Sequence, residues 1–132
     1  MGRIGSQFDK LRKNGEKALI PFVTGGDPTL DFTKQLVQHL ERNGADLLEL
    51  GVPFSDPMAD GPTIQRASLR SLKNGTSLGD LLHLVEKIRN DVHIPLILMT
   101  YYNPVFTFGE ENFVNEAVRS GVDGFIVPDL PY

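Results

Sequence analysis

Four short apolar runs, separated by amphipathic stretches, restrict the fold of this chain more than any other feature. The runs lie at residues 18–23, 46–50, 95–99 and 124–127. Their apolar residues are nearly continuous rather than alternating with polar ones, which is typical of strands covered on both faces of a parallel sheet. Between the runs, apolar residues recur with helical spacing, as they do from Leu78 to Ile88. This order predicts an α/β protein in which helices join parallel strands.

Local signals mark several helix starts. An amphipathic helix is expected at the N-terminus, before the first strand. Asp27 is expected to cap the next helix, with Pro28 at its first position. Another helix is predicted over residues 64–72, and Ser77 and Asp80 then have the spacing of a capping box with Asp in place of Glu. The predicted order is a helix followed by β-α-β-α-β-α-β.

A weak internal echo supports repeated βα units. The segment RNGAD (42–46) opens the second predicted strand, and RSGVD (119–123) opens the fourth. Four βα steps are half of a (β/α)8 barrel, which takes about 250 residues as a whole. With 132 residues, the chain is at most one domain. We therefore expect it to be part of a longer barrel protein.

Composition excludes several classes of protein. The formal net charge is −4, and no basic patch indicates nucleic acid as a partner. No apolar run is long enough for a membrane span. The chain contains no cysteine, so neither disulfides nor thiolate metal sites are expected. Because the N-terminus also lacks the apolar core of a signal peptide, a cytoplasmic location is the default expectation.

The segment from Leu47 to Gln65 carries the candidate chemistry. Glu49 is a lone acid in an apolar strand, where an unpaired carboxylate is costly to desolvate. It is therefore either a proton-transfer group or a structural acid paired with an arginine or lysine, and the spacing alone favours neither. Asp56 and Asp60 lie in the following loop, where each alone is more typical of a turn former or helix cap.

The loops that leave the other strands narrow the possible chemistry. Active sites of parallel α/β proteins lie at the carboxyl ends of strands. The loops there contain carboxylates, tyrosines and hydroxyls, but no lysine, histidine or cysteine. Because a Schiff-base route needs a lysine in the pocket, it is excluded from this half. The three histidines are scattered, so no metal site is expected.

The segment ELGVPFSDPMADGPTIQRA closely resembles the signature of the tryptophan synthase alpha subunit family. The segments PFVTGGDP, MTYYNPVF and GFIVPDLP are also similar to family segments, in the family's order. The resemblance implies a parallel (β/α)8 TIM barrel, of which residues 1–132 are the N-terminal half of a single domain. The remainder of the barrel, including the loops that bind the substrate phosphate in the family, is absent from this sequence.

The resemblance also implies an activity. The family is a lyase that cleaves indole-3-glycerol phosphate to indole and glyceraldehyde 3-phosphate, without a cofactor in this subunit. Glu49 would protonate indole C3 and take the proton of the glycerol hydroxyl, while Asp60 would bind the indole N–H and stabilise the positive charge. Apolar walls around the indole are implied at Phe22, Ile64, Tyr101 and Ile126. Plain core packing is the alternative role for Phe22 and Ile126.

A partner follows from the same resemblance. The family forms an alpha2-beta2 tetramer with a beta subunit that uses pyridoxal phosphate and receives the indole. Loop residues implied to face that subunit are Pro53, Asp56, Pro57, Asn103 and Phe106. For Phe106, a ring folded back on the barrel is an equal alternative. Another phosphosugar barrel enzyme and a non-catalytic half-barrel remain alternative functions, and this chain is expected to be inactive alone.

Overall fold

The computed structural model describes residues 2–131 and contains a four-stranded parallel sheet in the order β1-β2-β3-β4. The strands are β1 (Phe22–Thr24), β2 (Leu48–Gly51), β3 (Leu96–Met99) and β4 (Gly124–Ile126). The helices are α1 (Arg3–Asn14), α2 (Leu30–Arg42), α3 (Pro62–Lys73), α4 (Leu78–Ile88), α5 (Tyr102–Phe108) and α6 (Glu110–Ser120). This arrangement confirms the predicted α/β class and parallel sheet. Within residues 2–131, no helix is long and apolar enough to cross a lipid bilayer.

The register of the sheet divides its side chains into two faces. Phe22 pairs with Glu49, which pairs with Ile97. Neighbours in register on parallel strands point to the same face, and successive residues alternate between faces. Leu50 and Leu98, which pair with each other, are fully buried in the apolar core shared with the helices. The half-buried Glu49 therefore lies on the opposite face, away from that core.

Helix α2 begins at a different residue from the one predicted. Asp27 does not cap it: Thr29 is the N-cap, and its hydroxyl accepts a hydrogen bond from the Phe32 amide. The Asp27 carboxylate instead accepts two hydrogen bonds of 2.8 Å from Arg70 on α3. The pair with Arg70 is bidentate and joins two opposite charges, so the more distant partner takes the carboxylate.

Two other helices show what local sequence does and does not specify. The predicted capping box of α4 is confirmed, because Ser77 and Asp80 each bond the other's backbone amide. Helix α3 starts at Pro62, where proline is tolerated because the first helical amide needs no partner. Helix α5 was not predicted. Pro104 lies within its first turn, so a sequence that resembles a turn is compatible with a helix.

The amino ends of the strands are joined by a repeated carboxylate motif. Asp46, just before β2, donates its backbone N–H to the Leu19 carbonyl and accepts the Leu19 N–H on its side chain. Asp123, just before β4, makes the same two bonds with Leu96. The echo between RNGAD and RSGVD in the sequence is therefore a structural repeat, in which each aspartate is bonded twice to one residue in or just before the neighbouring strand.

Helix α1 lies against both copies of this motif. Gln7 donates a hydrogen bond of 2.9 Å to Asp46, and Arg3 donates one of 2.9 Å to Asp123. Asp123 also forms an ion pair with the largely buried Arg89. Burial lowers the pKa of Arg89, and the charge of Asp123 partly offsets that effect. The amino-end edge of the sheet is thus a closed network of charges and hydrogen bonds.

Candidate active site

Glu49 occupies the middle of β2 on the face opposite the helical core. Phe22 is its neighbour in register on β1. The Phe22 ring lies over Gly51, where an added Cβ would be 2.5 Å from the ring, so a larger residue there would have to displace the ring. Among residues 2–131, no arginine, lysine or histidine forms an ion pair with Glu49. A structural ion pair for Glu49 is therefore not found in the described part of the chain.

Asp60 lies at the end of the loop between β2 and α3. It does not cap α3, whose N-cap is Gly61 and which has no side-chain cap bond. Its carboxylate instead accepts a hydrogen bond of 2.9 Å from the Tyr101 hydroxyl. The Asp60 carbonyl accepts a bond of 2.8 Å from the Gln65 side chain. The cap alternative for Asp60 is thus wrong, and its side chain belongs to a contact between two strand-end loops.

Tyr101 is the site residue whose contacts the sequence did not reveal. Only 3% of it is exposed, and its ring lies 5.6 Å from that of Phe54. Its hydroxyl accepts the Ala59 N–H at 3.1 Å while donating to Asp60. Burial raises the pKa of Tyr101, the Ala59 bond opposes this, and the Asp60 bond adds to it. The net effect keeps the hydroxyl protonated, as a donor to a carboxylate must be.

The other implied wall residues differ in their environments. Ile126 pairs in register with Met99, two residues nearer the carboxyl ends of the strands than the row that contains Glu49. It therefore lies on the same face as Phe22 and Glu49, and it is 37% exposed. Ile64 is half-buried in the first turn of α3, just beyond Asp60. The sheet thus brings Phe22, Glu49 and Ile126 to one face.

The residues implied to face a partner surround the same loops. Asp56 and Asn103 are exposed and Pro57 is half-exposed, whereas Pro53 is buried. Asn103 and Phe106 lie on α5 rather than in the loop that was predicted. Phe106 is 64% exposed, so its ring does not fold back on the sheet. Beside these residues is an open groove of about 460 Å³, lined by Phe54, Ser77, Leu78, Gly79, Asn103, Pro104, Thr107 and Phe108.

The polar groups of the candidate site are two carboxylates, Glu49 and Asp60, and the Tyr101 hydroxyl. In residues 2–131, no three side chains of His, Cys, Asp or Glu are grouped in a way that could hold a metal ion. A half-buried Glu49 beside an aromatic ring can exchange a proton with a bound substrate. Asp60, held by Tyr101, can accept a hydrogen bond or stabilise a cation.

Residues 8–132 match the sequence profile of a family described as the tryptophan synthase alpha chain. The chain belongs to this family. It is 58% identical over 131 residues to the tryptophan synthase alpha chain of Geotalea uraniireducens (strain Rf4), covering 99% of this chain and 49% of that relative. It is 51% identical to the one from Caldanaerobacter subterraneus subsp. tengcongensis, covering 99% and 50%. The chain thus spans about half the length of these curated relatives.

Solved structures show the same likeness. The crystal structure of tryptophan synthase subunit alpha from Legionella pneumophila str. Paris superposes with a TM-score of 0.96 at 46% identity. The match covers 99% of this chain and 50% of that one. Tryptophan synthase from M. tuberculosis, in its aminoacrylate-bound form, gives a TM-score of 0.92 at 38% identity, with 98% and 53% covered. The fold is that of the TIM barrels of this family, of which the chain matches about half.

Proposed function

We propose that this chain provides the two catalytic carboxylates of a tryptophan synthase alpha subunit, which cleaves indole-3-glycerol phosphate to indole and glyceraldehyde 3-phosphate. Family membership supports a lyase. The observation that carries the specific proposal is Glu49, a half-buried carboxylate without an ion pair in the described residues, placed beside Phe22 inside the family signature. We further propose that residues 1–132 are the N-terminal half of a single (β/α)8 barrel domain.

Two carboxylates divide the chemistry. Glu49 begins protonated and gives its proton to indole C3, which makes the ring a cationic leaving group. The bond between C3 and the glycerol carbon then breaks, and its electrons return to the indole. Glu49, now ionised, takes the proton of the adjacent glycerol hydroxyl as that carbon becomes an aldehyde. Asp60 stays ionised, accepts the indole N–H and stabilises the positive charge on the ring.

We also propose that a beta subunit binds the surface formed by the loop before α3 and by α5. In an alpha2-beta2 complex in the cytoplasm, that subunit holds the pyridoxal phosphate and uses the released indole, so the alpha subunit carries no cofactor. The exposed Asp56, Asn103 and Phe106 support this location. An exposed aromatic ring beside an apolar groove is typical of an interface anchor.

The activity is tested by indole release from indole-3-glycerol phosphate. A full-length protein that contains this chain is expected to release indole alone and faster with a beta subunit. The 132-residue chain without the second half is expected to be inactive, because phosphate-loop contacts supply binding energy that supports the chemical step. Failure of the full-length protein to release indole, with or without a beta subunit, would contradict the proposed function.

The partner surface is tested separately with Asn103→Ala, using Asn115→Ala on the exposed side of α6 as the matched control. Asn103→Ala should lower stimulation by the beta subunit more than it lowers the turnover of the alpha subunit alone. Asn115→Ala should change neither. If Asn103→Ala lowers both rates equally, this residue shapes its own helix rather than contacting the partner. Pro57→Ala is expected to behave like Asn103→Ala.

A further inference from the structure

The Tyr101 hydroxyl occupies an unusual position between the two strand-end loops. It is buried at the start of α5, yet both of its hydrogen bonds go to residues of the loop before α3. The Ala59 N–H fixes the hydroxyl oxygen at 3.1 Å, and the hydroxyl hydrogen is then directed to Asp60 at 2.9 Å. The bond from Ala59 thus orients the hydroxyl, and the hydroxyl in turn restrains the Asp60 carboxylate.

We propose that Tyr101 is a positioning residue that fixes the Asp60 carboxylate for the reaction, and that its ring as an apolar wall is only part of its role. This inference rests on the proposed function of Asp60. Apart from Tyr101, no side chain in residues 2–131 donates a hydrogen bond to the Asp60 carboxylate. The tyrosine ring is packed against Phe54, so the donor is rigid. A rigid donor reduces the disorder of the group it holds, and small misplacements of catalytic groups are costly.

The principal test is Tyr101→Phe in the full-length protein, assayed for indole release. This change deletes one oxygen and keeps the ring, so substrate packing is retained. We expect kcat to fall roughly ten- to a hundredfold with KM nearly unchanged, because a hydrogen bond to a charged group is lost. The matched control is Tyr102→Phe, because the Tyr102 hydroxyl of the wild type bonds the exposed Glu110 rather than Asp60. That variant should keep the wild-type kcat.

A double-mutant cycle separates positioning from general packing. In an Asp60→Asn background, Tyr101→Phe should have little further effect, because the carboxylate that it positions is already gone. Equal losses in both backgrounds would overturn the proposal, since Tyr101 would then act independently of Asp60. An unchanged kcat in Tyr101→Phe would overturn it as well.

A second variant keeps the proposal testable if Tyr101→Phe does not fold. Asp60→Glu retains the charge but lengthens the side chain by one methylene, which shifts the carboxylate relative to the Tyr101 hydroxyl. Positioning predicts a kcat loss close to that of Asp60→Asn, whereas a role for charge alone predicts near-wild-type kcat and would overturn the proposal. Absence of indole release by the wild-type protein is a different outcome, because it contradicts the proposed function itself.

Discussion

Carboxylates have opposite roles in two regions of the molecule, the amino ends of the strands and the candidate active site. At the amino-end edge, the carboxylates of Asp46 and Asp123 are each bonded to a backbone amide and to α1, and Asp123 also binds Arg89. On the face opposite the helical core, Glu49 has no ion pair within residues 2–131, and in the loop after β2, the Asp60 carboxylate accepts a bond from one tyrosine hydroxyl. An acid with filled hydrogen-bond sites holds the fold, whereas an acid with open sites can serve a substrate.

Loop structure accounts for much of this difference. Short connections lead into the amino ends of β2 and β4, and each turns at a glycine with positive φ, Gly44 at 100° and Gly121 at 90°. Glycine is favoured at such turns because it adopts a positive φ without steric cost. The loop from β2 to α3 is longer and carries two prolines and two acids. In parallel α/β proteins, functional residues commonly lie on loops that follow the carboxyl ends of the strands.

Glu49→Gln in the full-length protein is the most direct test of whether Glu49 is catalytic rather than structural. The amide keeps the size of the side chain but cannot transfer a proton. We expect indole release to fall about 10²–10⁴-fold, the usual range for a general acid-base group. The thermal midpoint should stay close to that of the wild type, because no ion pair in residues 2–131 is lost. More than about a tenth of wild-type activity would assign Glu49 a lesser role, since that loss falls below the same range.

Asp123→Asn should produce the opposite pattern. Removing the charge leaves Arg89 buried without its ion-pair partner, which typically costs about 3–5 kcal/mol of unfolding free energy. Urea unfolding of the full-length protein measures this loss. The kcat of the fraction that remains folded should be close to that of the wild type. A stable variant with a low kcat would show that the amino-end network also controls the site.

Asp60→Asn tests whether the charge of Asp60 serves the reaction or only the contact between the two loops. Asparagine keeps the shape and can still accept a hydrogen bond from Tyr101, so folding should be unaffected. Activity should fall roughly a hundredfold, because the charge that stabilises the indole cation is gone. Steady-state indole release together with circular dichroism distinguishes these effects. Full activity in this variant would mean that Asp60 only joins the two loops.

Asp46→Asn is the smallest expected change and the matched counterpart of Asp123→Asn. Asp46 binds Leu19 and Gln7, and within residues 2–131 it forms no ion pair. An asparagine can keep both contacts if the Gln7 amide turns over, so we expect a loss of about 1 kcal/mol or less. Urea unfolding of the two variants side by side measures the difference. Equal losses would show that the buried Arg89 adds nothing to the repeated motif.

Features encoded by adjacent residues could be predicted from the sequence. The four strands follow from nearly continuous apolar runs, and the capping box of α4 depends on Ser77 and Asp80 alone. The resemblance placed Glu49 and Asp60 in one site, and the sheet register then showed that Glu49 and Phe22 share a face. The strands and the capping box are confirmed because the governing interactions lie within a few residues or one strand pair, whereas the shared site of Glu49 and Asp60 stays a prediction.

Features decided by distant partners could not be predicted. Arg70 takes the Asp27 carboxylate from 43 positions away, so the cap of α2 moves to Thr29. Tyr101 and Asp60 are 41 positions apart, and nothing in either segment indicates their bond. Helix α5 was missed because the Asn103–Pro104 pair is typical of a turn when it is considered alone. In each case, tertiary contacts override local preference.

The doubly bonded aspartates have a consequence for the accuracy of strand alignment. In a regular parallel pair, the N–H and C=O of one residue bond to two different residues of the neighbour, so a ladder can slide. Asp46 and Leu19, and likewise Asp123 and Leu96, return both bonds to one residue. A slip of one residue would break both bonds of a pair and would turn Glu49 into the helical core, because alternate residues face opposite sides. Asp46 and Asp123 therefore fix the register of the strands, and the register decides which face of the sheet the Glu49 carboxylate occupies.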